Sequence, residues 1–248
     1  MTAKHRSASR NGSTAGEKAT GRGESISRAY DQLRELIVRG RLAPGTRVVE
    51  SELADRLGLS RTPTRSALHR LHQEGYVTAP DRSTERRLIV APLTQDDARE
   101  LFQIVGQLEG LAARSSAEHP APARAALVRR LRDLNRDLAQ AARGARPDPR
   151  RIFELDTAFH FSYVEDGAGP RLLVLHAGMK PQAERYIRLY SSSLVDEIAT
   201  SVEEHSVIIH CIADGDPLGA QQAVDTNWRN AAARLARVIE TLGERGSW

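Results

Sequence analysis

The sequence predicts a mainly α-helical protein, an N-terminal winged helix-turn-helix followed by an all-helical bundle of about six helices. Three observations predict it. Only 4% of the 248 residues are aromatic, Ala, Leu and Arg abound, and β-branched residues come in short runs, so helix is the dominant state. A hydrophobic content of 40% is enough for a real core, which excludes disorder throughout. Strand-like runs flank one polar tip, "DRSTE", directly after three helical segments.

Residues 1–25 carry Lys4, Arg6, Arg10, Lys18 and Arg22 among Ser, Gly and Thr, and read as a disordered basic arm without the apolar segment of a secretory signal. From Ser27 to Arg39, Ala29, Leu33, Leu36 and Ile37 recur at helical spacing; the run stops at Gly40, before a Pro44-Gly45 turn. A second helix, Glu50 to Leu57, ends at Gly58. The third starts after Ser60, a good N-cap, carries Ala67, Leu68 and Leu71 on one face and stops at Gly75. "YVTAP" and "RRLIVAPL" then read as a hairpin, completing a domain over 26–93.

Beyond it every element reads as helix. Thr94 with Asp97 makes a capping box for a helix reaching Ala117. Further helices are expected at 121–143, 149–165, 170–192 (kinked or interrupted at Pro181) and 195–213. The last follows Asp216 as cap and Pro217 at the first helical position, and runs to about Leu242. The helical domain spans 94–243, with 244–248 as a tail. One cysteine, Cys211, excludes an intrachain disulfide framework, and no apolar run is long enough to cross a bilayer, so a cytoplasmic protein is expected.

Charge separates the two parts. Residues 1–93 hold 17 Lys+Arg against 10 Asp+Glu, whereas the remainder holds 19 against 22. The positive charge is thus concentrated where a polyanion would be met. On the third helix the inward Ala67, Leu68 and Leu71 leave Arg61, Thr62, Arg65, Ser66 and His69 on the opposite surface. Arg61 and Arg65 suit bidentate donation to guanine, while Ser60, Thr62 and the helix N-terminus suit phosphate. A charged helix face is commonly just a solvated one. Here the short preceding helix, the "GLS" turn and a hairpin carrying Arg82, Arg86 and Arg87 favour DNA, with the hairpin arginines suited to backbone or minor-groove contacts.

The run "GRLAPGTRVVESELADRLGLSRTPTRSALHRLHQEGYV" resembles the DNA-binding domain of the GntR family of bacterial transcription regulators. The resemblance implies operator contacts by Arg61, Thr62 and Arg65, with Ser51 as a further candidate. Thr64 stands where that family usually has an aliphatic residue, and the wing is longer, more basic and lacks the usual tip glycine.

In the second domain, Asp156, His160, His205 and Asn227 interrupt otherwise apolar helix stripes. Burial without partners would cost each about 1–3 kcal/mol, so they satisfy one another, a ligand or a metal. Asp156 and His160 are four apart on one helical face, and a carboxylate with two imidazoles suits Zn, Ni or Mn; spacing alone leaves open that the histidines are satisfied core residues. "LEGLAAR", "DTAFH", "EEHSVIIHCIADGDPLGA" and the final helix resemble the FCD domain, the helical ligand-binding domain of the FadR branch of GntR regulators. The resemblance implies a divalent metal held by an aspartate and three histidines beside a small carboxylate. Asp156, His160 and His205 match the first three positions and Asn227 falls at the fourth, which weakens the site. Gly106 stands where relatives often have arginine; Arg185 and Arg188 are candidates, with Asn227, for effector contacts.

The expected function is a ligand-responsive repressor, binding double-stranded operator DNA as a homodimer and released by a small-molecule effector, with no membrane partner. The alternative is a metal-dependent enzyme using Asp156, His160 and His205.

Overall fold

The structure is a computed structural model that describes residues 14–79, 88–144 and 146–246. It divides into two compact units, residues 1–37 with 46–91, and residues 38–45 with 92–248.

The first unit contains most of α1 (Thr14–Val38), then β1 (Arg47–Val48), α2 (Glu50–Leu57), α3 (Arg61–Gln73), β2 (Val77–Thr78) and β3 (Leu88–Val90). Helix α1 begins at Thr14 rather than Ser27, so part of the segment expected to be a disordered arm is helical. Ala29, Leu33, Leu53, Ala54, Ala67, Leu68 and Leu71 form the buried side of the three helices, and Tyr76 is buried just beyond α3. Gly58 closes α2 at φ 63°, a left-handed conformation that glycine adopts without a Cβ clash, and reverses the chain into α3. The strands form an antiparallel sheet in the order β1-β3-β2, pairing Val77 with Val90 and Arg47 with Ile89. The hairpin is as expected. Strand β1 was not, because two residues are too few for alternation to show.

The second unit is built from α4 (Gln95–Glu118), α5 (Ala121–Arg143), α6 (Pro149–Gly167), α7 (Pro170–Leu194), a 3-10 turn (Val195–Glu197), α8 (Ile198–Asp214) and α9 (Pro217–Leu242). Helix α7 continues through Pro181 without interruption, whereas the segment expected as one helix from 195 opens with the 3-10 turn. The Thr94 hydroxyl caps α4 by accepting from Asp97 N–H at 3.3 Å. The reciprocal half of the box is absent: the Asp97 carboxylate accepts instead from the Tyr186 hydroxyl. Asp216 caps α9 at 2.9 Å from Gly219 N–H, as expected.

Helix α4 packs lengthwise on α9, with α6 and α7 beside it, and the main core lies among them around Phe102, Val105, Phe159, Tyr163, Ile208 and Trp228. Close approach of α4 and α9 depends on Gly106, where an added Cβ would lie 2.8 Å from the Trp228 Cβ. Trp228 occupies the space.

Candidate functional site

The exposed face of α3 follows directly from its buried one. With Pro63, Thr64, Ala67, Leu68 and Leu71 buried, Arg61, Thr62, Arg65 and His69 are exposed, and Ser66 is half-buried. Ser60 occupies the N-cap position but its side chain makes no capping hydrogen bond. Thr64, the polar departure, is fully buried and satisfied: its hydroxyl donates to the Ser60 carbonyl at 3.0 Å. Ser51 is half-buried in the first turn of α2. Arg82, Arg86 and Arg87 lie outside the described residues. Sequence reading missed Arg28 of α1, which lines one concavity with Ser25, Ser60 and Thr62 and adds a cation beside the start of α3.

Inside the second unit, one ligand atom each from Asp156, His160 and His205 lies within 4.8 Å of the others. Helices α6 and α8 supply them. His205 is fully buried and stacked on Phe159 at 3.9 Å; its Nδ1 lies 3.2 Å from Asn135 Oδ1, whereas its Nε2 has no hydrogen-bond partner among the described residues. Asp156 Oδ1 is 3.7 Å from that nitrogen, too long for a hydrogen bond. Burial, together with the charges of His160 and Arg234, holds the His205 pKa well below the usual value, so its imidazole is neutral with a lone pair available.

His160 is oriented from behind. Its Nδ1 lies 2.7 Å from Glu109 Oε2 and 2.6 Å from the Tyr163 hydroxyl, which leaves Nε2 as the nitrogen able to bind a ligand. Glu109 is fully buried yet also accepts from Tyr163 (2.9 Å), Trp228 Nε1 (2.8 Å) and Lys180 Nζ (3.1 Å), and lies 3.0 Å from His176 Nε2. Burial alone would raise its pKa; the charges of Lys180 and His160 outweigh it and hold the carboxyl well below the usual range.

Asp156 and His160 border a cavity of about 80 Å³, lined also by Asn227, Trp228, Ser201 and Arg234 on its polar side and by Phe102, Ile152, Phe153, Ile187 and Leu235 on its apolar side. Asn227 does not point a free amide at the cluster. Its Nδ2 donates to Glu204 Oε2 at 2.7 Å, and Glu204 also accepts from Asn230 (2.8 Å) and from both ends of the Arg234 guanidinium (2.9 and 3.1 Å). Burial pushes the Glu204 pKa up, but these hydrogen bonds prevail and lower it.

Comparison with known proteins decides the lineage. The pattern of the bacterial regulatory proteins of the gntR family matches residues 25–84, and that of the FCD domain matches 100–230, more than half of the chain. The chain belongs to the GntR family. Its similarity to an HTH-type transcriptional regulator in an unstable DNA locus of Streptomyces ambofaciens is 31% identity over 211 residues, 84% of each chain. It is 30% identical over 199 residues to a probable D-xylose utilization operon transcriptional repressor of Paenarthrobacter nicotinovorans, covering 78% of this chain and 82% of that one. Among solved structures, E. coli McbR/YncC shares the fold with a TM-score of 0.65 at 19% identity, over 86% of this chain and 97% of that one.

As a GntR regulator with an FCD domain, the protein binds DNA and regulates transcription; the matched families and relatives are regulators rather than enzymes. No described helix is long and apolar enough to cross a membrane. Of the expected effector contacts, neither Arg185 nor Arg188 lines this cavity of the GntR regulator. Arg185 is buried elsewhere on α7, and Arg188 lies 4.2 Å over the Phe153 ring and 3.7 Å from Glu184. The lining cation is Arg234. Its signal was present, since Asn227, Asn230 and Arg234 recur at helical spacing on one face of α9, and His176 and Lys180 do the same on α7.

Proposed function

We propose that this GntR regulator is a repressor that grips a palindromic operator as a homodimer and is released by a small molecule bound in the cavity of the α4–α9 domain. One short helix reads too few bases for specificity, and a two-fold pair doubles the contact set, with half-sites about one helical turn apart. The matched xylose-operon relative, named a probable repressor, supports the sign of regulation.

The observation that carries the effector reading is the buried His205 Nε2, without a hydrogen-bond partner among the described residues and within 4.8 Å of ligand atoms of Asp156 and His160, the two of the three that line the cavity. An unsatisfied buried nitrogen is costly, and a ligand or a metal would satisfy it. Asp156, His160 and His205 fit a divalent ion such as Zn, Ni or Mn, with both imidazoles backed by Glu109 or Asn135. Such an ion would supply a Lewis-acid docking point for an effector carboxylate. Asn227, committed to Glu204 through its amide nitrogen, has only its oxygen to offer, so the set is three side chains strong.

The effector then acts by population shift, favouring a dimer geometry unsuited to two successive major grooves, with a coupling of about 1–3 kcal/mol. The test is release of the full-length chain from a duplex that it selects out of a randomised pool, screened with small carboxylic acids with and without added Zn, Ni or Mn. An acid that releases the wild type should fail on His205→Ala, while that variant keeps its duplex affinity. Equal release of both would place the effector elsewhere.

A further inference from the structure

We infer that Glu50 sets the geometry in which Arg65 reads a base, making it a positioning residue for operator specificity; this rests on the reading of α3 as the DNA-reading helix. Arg65 Nε donates to Glu50 Oε2 at 2.8 Å and Arg65 Nη2 to Glu50 Oε1 at 3.0 Å, a two-pronged fork between α2 and α3. The Arg65 side chain is nonetheless 75% exposed. Ion pairs this exposed contribute little to stability, so the fork is poorly explained as a staple.

What it does fix is an orientation. A guanidinium carries five N–H groups in one plane, and the fork consumes the edge formed by Nε and one Nη2 hydrogen. The remaining end carries parallel N–H groups from Nη1 and Nη2, the pair that matches guanine O6 and N7. Because Glu50 opens α2, the guanidinium plane is tied to the whole helix-turn-helix rather than to α3 alone. Side-chain freedom is then lost before DNA arrives, which favours the one base that fits.

A carboxylate on a surface facing phosphates also opposes sequence-independent attraction. Glu50 therefore trades affinity for discrimination. Arg61 has no such carboxylate partner among the described residues, and its contribution is expected to be mainly electrostatic.

The experiment measures dissociation constants of the full-length wild type, Arg65→Ala, Glu50→Ala, Glu50→Gln and the Glu50→Ala/Arg65→Ala pair. The duplexes are the consensus that the wild type selects from a randomised pool, its single-base-pair variants, and a random duplex. Arg65→Ala should lose about tenfold discrimination at one guanine. Glu50→Ala should lose most of the same preference at the same position while binding the random duplex as well or better, and the double variant should be no worse than Arg65→Ala. Glu50→Gln, keeping one acceptor, should fall between. If Arg65→Ala loses the preference and Glu50→Ala keeps it, the inference fails and the reading helix stands. If Glu50→Ala weakens all duplexes alike and melts at a lower temperature, Glu50 is a staple and the inference also fails. If Arg65→Ala keeps the preference, the assignment of the reading helix itself is wrong.

Discussion

The face of α3 and the interior around Glu109 are both clusters of polar side chains, but they are held in opposite ways. On α3, Arg61, Thr62 and His69 stand in solvent, whereas Arg65 is held by the Glu50 carboxylate. Around Glu109, donors converge from α6, α7 and α9 on one buried carboxylate of α4, and the exception is a nitrogen without a hydrogen-bond partner among the described residues. In the first region removing a side chain subtracts a contact to be made later. In the second it strands partners already desolvated, so the same chemical change has a very different cost.

The largest expected effect tests that contrast where it is steepest. Glu109→Ala leaves Lys180, already 4.5 Å from the Trp228 ring, without its buried counter-charge, and frees the hydroxyl and ring nitrogens of Tyr163, Trp228 and His176. Breaking one side of such a pairing costs about 3–5 kcal/mol. The transition of the helical domain should move down by roughly 10 °C in calorimetry. A shift of a degree or two would show that the cluster relaxes or admits water, and that it is not the support on which His160 depends.

Which parts of this arrangement were legible in the sequence depends on how many partners each part needs. The reading face of α3 needs only helical spacing and a buried side, so Ala67, Leu68 and Leu71 were enough to place Arg61 and Arg65 outward. Asp156 and His160 were brought together by a spacing of four, whereas His205 was marked as an interruption of an apolar stripe and joined to them by resemblance. Lys180, His176 and Arg234 showed only a helical spacing, which does not assign them a partner. A lysine or arginine on a helix is usually solvated, and only the positions of α4 and α8 show which of them face Glu109 and Glu204. Arg185 and Arg188 were likewise chosen by residue type alone, and neither lines the cavity. Short strand β1 was missed because its partner β3 lies about forty residues away and contributes the pairing signal.

Gly106 sharpens the comparison at an intermediate scale, because two effects of opposite sign meet there. Gly106→Ala gains about 1 kcal/mol of helix propensity. Against this, the new methyl lies 2.8 Å from the Trp228 Cβ and 3.2 Å from its Cγ, atoms too near the backbone of α9 to swing aside. Overpacking of this kind costs about 1–3 kcal/mol and should win. Trp228 both donates to Glu109 and lines the cavity, so displacement should also weaken effector release. Chemical denaturation should show net destabilisation of the helical domain; a stabilised variant would mean that α4 and α9 have slack, and that the glycine is not what lets them approach.

The smallest effect is expected at Thr64, on the other side of the comparison. Its hydroxyl donates to the Ser60 carbonyl, which receives only a long 3.5 Å bond from the Thr64 N–H. Thr64→Val removes a hydrogen bond worth about 1 kcal/mol net. It also replaces a buried hydroxyl with a methyl of similar size, which recovers about as much in burial. The two nearly cancel, so stability should stay within about 1 kcal/mol and duplex affinity within about twofold. The measurement is a denaturant midpoint alongside a duplex titration. A loss well above 2 kcal/mol, accompanied by weaker duplex binding, would show that the hydroxyl holds the first turn of α3 in place. The recognition face would then depend on a buried partner after all, and the distinction between the two regions would be one of degree.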